Sequence, residues 1–118
     1  MPATVSELNV AEFENATAQG LTLVDFWAPW CMPCVMQGPI IEQVAQRDWG
    51  GAVRVAKVNV DEHPALAERF SIEGIPTLLL LRDGEVVQRF LGAQSEETLV
   101  NAIEYFQQSN SPPARSTK

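Results

Sequence analysis

What most limits the folds open to this chain is an alternation: short runs of strand-forming residues separated by segments of helical spacing, with a hairpin near the end. LTLVDFW (21–27) is short, apolar and rich in β-branched and aromatic residues, as a buried strand is. AVRVAKVNV (52–60) reads as a second strand. IPTLLLLRDGEVVQRFLG (75–92) supplies two more around Asp83-Gly84, a dipeptide that favours the tight turn of an antiparallel hairpin. Helices fill the intervals. NVAEFENATAQG (9–20) has Asn9 as a cap, Glu12 at the reciprocal capping position, Val10 and Phe13 on one side and Gly20 at the stop. CVMQGPIIEQVAQR (34–47) repeats Val35, Met36, Ile40, Ile41, Val44 and Ala45 at mostly helical spacing, with Pro39 expected to bend it. DEHPALAERF (61–70) is a short helix with Pro64 suited to its first turn. SEETLVNAIEYFQQ (95–108) starts at a Ser95 cap and aligns Leu99, Ala102, Ile103 and Phe106 on one face. The pattern predicts an α/β fold whose central sheet mixes parallel and antiparallel pairs.

The 118 residues, 46% of them hydrophobic, suit one compact domain, expected over 1–108. SNSPPARSTK (109–118) has little to bury and is expected to be a disordered tail. Eight Lys plus Arg against fifteen Asp plus Glu leave a net charge of −7, and no basic cluster reverses it locally. The field repels nucleic acid and anionic lipid, so neither is expected as a partner. MPATVSELNVAEFENA (1–16) has no cationic segment leading into an apolar one, and no apolar run reaches membrane-spanning length. The reading is a cytoplasmic protein with no membrane attachment. In that reducing compartment a cysteine pair is more often catalytic or metal-binding than a permanent staple.

Both cysteines stand in APWCMPC (28–34), directly after the first apolar run. A structural zinc site takes four ligands, whereas the chain offers two Cys and the single His63, so no metal is expected. A disulfide across so short a loop removes little unfolded-state entropy. A cysteine hydrolase needs a base beside its nucleophile, and His63 lies at the start of another helix. A redox pair uses every part of the motif. Cys31 opens a helix, where unpaired backbone N–H groups and the helix dipole favour a thiolate. Cys34, one turn later, is within reach of the same sulfur and can resolve a mixed disulfide at high effective concentration. Pro33 stiffens the turn. Trp30 is either core or, from its place in a strand-to-helix loop, a contact residue for substrate.

Counting by two along 21–27 places Asp25 on the face of Leu21, Leu23 and Trp27, and the same count along 52–60 places Lys57 with Val53 and Val55. A carboxylate there costs stability unless it is paired. Two accounts remain open: a buried ion pair that does nothing more, or a carboxyl of raised pKa that takes the proton of Cys34, with Lys57 tempering the shift. Trp27, at the strand end, is expected to pack in the core.

VDFWAPWCMPC, AKVNVD, GIPTLLLLRDGEV and LGAQS, in that order and at matching separations, make the chain resemble the thioredoxin family from about Ser6 through Gln107. The resemblance implies a central mixed sheet flanked by helices on both faces. It also implies reduction of protein disulfides through a Cys31–Cys34 dithiol, assisted by Asp25 and Lys57. No cofactor is expected to be bound; electrons are expected from NADPH through thioredoxin reductase. The protein is expected to be a monomer. The Ile75–Pro76 bond is implied to be cis and to face the disulfide, with Pro76 shaping a substrate groove and lacking the N–H of other residues. Ile75 would offer backbone to an extended substrate segment. Gly74 and Gly92 are either ordinary turn glycines or borders of that groove. Trp30, Met32 and Pro33 complete the implied substrate contacts. The family usually has Gly where this chain has Met32, and commonly Lys where it has Val35. Met32 is either an adaptable apolar rim beside the nucleophile or neutral drift at an exposed position. Two rivals accompany this reading: a non-catalytic binding or chaperone module, and an oxidant or isomerase of other proteins' disulfides.

Overall fold

The structure, a computed structural model, describes residues 5–108, so the tail expected over 109–118 lies outside the described residues. The elements run β1 (Ser6–Glu7), α1 (Val10–Thr17), β2 (Leu21–Trp27), α2 (Met32–Gln46), β3 (Val53–Asn59), α3 (Pro64–Arg69), β4 (Thr77–Arg82), β5 (Glu85–Leu91) and α4 (Glu96–Gln108). The strands form one sheet in the order β1-β3-β2-β4-β5. β3 is parallel to both β1 and β2, whereas β4 is antiparallel to β2 and β5. The sheet is therefore mixed, as expected.

The period of two along each strand divides the core into two layers. Leu21 and Leu23 of β2, Val55 of β3 and Leu78 and Leu80 of β4 pack against Ile41, Val44 and Ala45 of α2 and Leu99, Ile103 and Phe106 of α4. The opposite face, with Val24, Phe26, Ala56, Val58, Leu79 and Leu81, is covered by Phe13 of α1 and Leu66 of α3. Because helices cover both faces, β2 and β4 read as continuous apolar runs rather than alternating ones. Each large side chain buried there contributes about 1.5–3 kcal/mol from removal of apolar surface from water.

Local chemistry sets the element ends. The Asn9 side chain accepts from the Glu12 N–H while Glu12 reaches back to the Asn9 N–H, forming a capping box at α1. Asp83 and Gly84 both hold positive φ, 50° and 87°, as the two-residue turn between right-twisted strands requires. That turn is tied to Gly20 by two bonds: the Asp83 N–H donates to Gly20 O at 2.9 Å and the Gly20 N–H donates to Asp83 Oδ1 at 2.8 Å. α2 continues through Pro39 as one element.

Four details depart from the sequence reading. β1 has no counterpart in it; the strand is two residues long and exists through its pairing with β3. Val10 is exposed while Phe13 is buried, so the two do not share a core face. Val35 and Met36 are also exposed, because Cys34 and Gln37 point inward and turn residues 35 and 36 outward in the first turns of α2. In α4, Val100 joins the core and Ala102 is only partly buried.

Candidate active site

The Cys31–Cys34 pair sits where β2 ends and α2 begins, at the edge of the sheet formed by the C-terminal ends of its parallel strands. Cys31 is the N-cap of α2, with extended backbone, and its sulfur accepts the Cys34 N–H at 3.3 Å. A helix start presents donors and a positive dipole end, so negative charge on this sulfur is favoured. The two cysteines are joined as a disulfide, with Cα atoms 5.2 Å apart. Cys31 is 6% exposed and Cys34 2%, so both residues are buried and Cys31 is slightly the more exposed.

Around the pair, the chain assembles an apolar rim. Trp30 is 68% exposed, and its indole Nε1 donates to Asp61 Oδ2 at 2.7 Å. Met32 is 66% exposed and Pro33 is also at the surface. On the far side, the Ile75 carbonyl lies 3.7 Å from the Cys31 sulfur, followed by a cis Ile75–Pro76 bond and a buried Pro76. The Gly92 N–H donates to Pro76 O at 2.8 Å, which places Gly92 beside the proline. Gly92 has φ +90°, a conformation that strains other L-residues. A Cβ on Gly74 would stand 3.4 Å from Leu91 Cδ1, so Gly74 lies against the exposed Leu91 side chain. Among the described residues, no group of three or more His, Cys, Asp or Glu side chains converges as a metal site.

Asp25 is 2% exposed, on the sheet face covered by α2, and its Oδ1 has no hydrogen-bond partner among the described residues. Burial pushes its pKa from 3.8 up to about 7, with the Lys57 charge pulling the other way. Lys57 is its register partner on β3. Asp25 and Lys57 make no direct ion pair among the described residues, although the Lys57 charge acts on Asp25. Among the described residues, the Lys57 ammonium pairs with Glu7 at 3.6 Å and lies 4.6 Å from the centre of the Trp27 ring. Trp27 itself is half-buried, with its indole Nε1 shielded and, among the described residues, without a hydrogen-bond partner.

Sequence reasoning overlooks Asp61, Glu7, Leu91 and Gln37. Leu91 carries a signal: with Phe90 turned toward the core, the next residue on a strand must face outward. Asp61 and Glu7 carry none, since their partners are reached only through the sheet. Gln37 is hidden by its polarity, which argues for the surface, although it is fully buried.

Residues 4–105 match the family model described as Thioredoxin. The chain is 43% identical over 99 residues to a thioredoxin of Listeria monocytogenes, covering 84% of this chain and 95% of the relative. To a thioredoxin of Bacillus subtilis it is 42% identical over 91 residues, 77% of this chain and 86% of the relative. A solved structure, a single-site mutant of a thioredoxin from Halobacterium salinarum, superposes with a TM-score of 0.83 at 34% identity, covering 93% of this chain and 96% of the other. Fold, paired cysteines and sequence agree: the chain belongs to the thioredoxin family and is a thiol–disulfide oxidoreductase of the protein-disulfide reductase type.

Proposed function

We propose that Cys31 is the attacking sulfur and Cys34 the resolving one. The reduced Cys31 thiolate attacks a substrate disulfide, forming a Cys31–substrate disulfide and expelling one substrate thiolate. Cys34 then loses its proton and attacks the Cys31 sulfur, closing the Cys31–Cys34 disulfide and expelling the second substrate thiolate. Two electrons pass to the substrate, and its two thiolates take up two protons. The observation that carries this order is the placement of Cys31 at the start of α2 with the Cys34 N–H directed at its sulfur, which favours charge on Cys31 alone.

Asp25, with a pKa of about 7, is suited to accept the Cys34 proton near neutral pH, and Lys57 limits how far that pKa rises. Trp30, Met32 and Pro33 on one side and Gly74, Ile75, Pro76, Gly92 and Leu91 on the other form the substrate groove of this reading. An extended segment would pair with the Ile75 backbone and lay apolar side chains on the rim. Thioredoxins as a family act with a reductase and with disulfide substrates. For this chain the reading is a monomeric, cytoplasmic protein with its domain over 1–108 and no bound cofactor, reduced by thioredoxin reductase with electrons from NADPH. No helix among the described residues is long and apolar enough to cross a membrane.

The test is catalysed reduction of insulin with dithiothreitol. The protein should accelerate it, and Cys31→Ser should abolish the acceleration. No acceleration by the parent protein would favour the non-catalytic binding module, and a full rate in Cys31→Ser would remove Cys31 as the attacking sulfur.

A further inference from the structure

Gln37 is a carboxamide with 0% exposure, one turn beyond Cys34 on α2. A helix packed on a sheet has no need of an amide there, and burying one is costly unless both of its ends are bonded. Both ends are bonded to a single residue: Nε2 donates to Gln94 O at 2.9 Å, and Oε1 accepts from the Gln94 N–H at 2.7 Å. A side chain here copies the paired bonds of a sheet ladder. Gln94 passes the constraint on, since its own Nε2 donates to Gly92 O at 3.1 Å and to Leu91 O at 3.4 Å. The Gly92 N–H in turn donates to Pro76 O at 2.8 Å. A continuous set of hydrogen bonds therefore runs from the helix that carries Cys34 to the opposite wall of the groove.

We propose that Gln37 is a positioning residue for recognition of protein substrates, fastening residues 91–94 to α2 so that the Leu91–Gly92 wall and the disulfide keep one spacing. The inference rests on the proposed role of that wall as a substrate contact. Two-point attachment fixes both the position and the orientation of the Gln94 peptide, which a single bond or apolar packing does not. An extended polypeptide spans the groove and feels this spacing. A small disulfide, which meets only the sulfurs, does not.

Gln37→Met keeps length and volume while removing both bonds. Kinetics are compared on insulin and on cystine, with dithiothreitol as reductant and the uncatalysed rate subtracted. The expected result is a KM for insulin raised about fivefold or more, a kcat within about twofold, and unchanged cystine reduction, as loss of two hydrogen bonds that act on binding alone predicts. Unchanged KM for insulin, or equal losses on insulin and cystine, overturns the proposal. If Gln37→Met does not fold, Gln37→Asn takes its place. Asn keeps the carboxamide but is one methylene too short to hold both Gln94 backbone atoms, and a KM for insulin that stays at the parent value in that variant overturns the proposal equally. Leu91→Ser separately tests the wall on which this inference rests: a KM for insulin unchanged there removes the wall as a contact, whereas one raised there and unchanged in Gln37→Met overturns the positioning role alone.

Discussion

Lys57 and Asp25 face each other across β3 and β2, yet the Lys57 ammonium is held 3.6 Å from Glu7 of the next strand, and Asp25 Oδ1 has no hydrogen-bond partner among the described residues. Glu7, Lys57 and Asp25 are successive neighbours in register across three strands. An exposed residue at the sheet edge thus competes with the buried carboxyl for one cation. Glu7→Gln should free Lys57 to interact with Asp25 and also remove a nearby negative charge. Both effects favour the Asp25 carboxylate, so its pKa should fall from about 7, by about half a unit given solvent screening. Following the Asp25 carboxyl carbon by NMR against pH measures it. In a Lys57→Met background the Glu7 effect should shrink, and an equal effect there would show that Lys57 is not the intermediary.

Asp25→Asn should stabilise the fold in a pH-dependent way. Between pH 3.8 and about 7 the native protein keeps a proton that the unfolded chain has released, so the contribution of Asp25 to stability falls as pH rises. Above about 7 the destabilisation is complete, up to roughly 4 kcal/mol. The gain in Tm for Asn over Asp should be near zero at about pH 4 and largest at about pH 8. Calorimetry across that range checks it, and a gain that shrinks with rising pH would contradict the raised pKa. The same variant should slow resolution more than initial attack.

Cys34→Ser should leave attack intact and remove resolution. Mixed disulfides between Cys31 and client proteins should then live about a hundredfold longer or more, since resolution depends on a sulfur held at high local concentration. Non-reducing gels of cells under oxidative stress should show trapped adducts that disappear on reduction. Their absence would count against the assigned order of the sulfurs.

Met32→His should make the protein a stronger oxidant. The exposed Met32 thioether gives no Coulomb support to the Cys31 thiolate, leaving the start of α2 as its main stabiliser. A partly cationic imidazole would stabilise the reduced form and raise the reduction potential, by about 30 mV for each tenfold change in the equilibrium constant. Insulin reduction should slow correspondingly. Equilibration of both proteins with defined glutathione ratios decides the matter, and an unchanged potential would mean that thiolate stabilisation does not set it.

The parts of the fold legible in the sequence are those determined locally or by burial on both faces. The α1 capping box needs only Asn9 and Glu12 three residues apart, and the hairpin needs only Asp83-Gly84 between apolar runs. β2 matches its sequence bounds because no alternation blurs a strand covered on both sides. β1 is invisible in the sequence because two residues carry no period, and partnership with β3 creates it. The first turns of α2 mislead since Val35 and Met36 obey a helical count while the inward positions belong to Cys34 and Gln37. At the site, both cysteines and the buried Asp25 stand out because their chemistry or their face is unusual. Asp61 and Glu7 act through long-range partners that only the assembled sheet supplies.

The slightly greater exposure of Cys31 gives the proposed reaction a direction. Thiol–disulfide exchange proceeds with the entering, central and departing sulfurs nearly in line. Cys34 is the more deeply buried of the pair and Cys31 lies nearer the surface, so an attack launched from Cys34 drives the departing sulfur outward, toward solvent. Bond breaking and product ejection then become one movement.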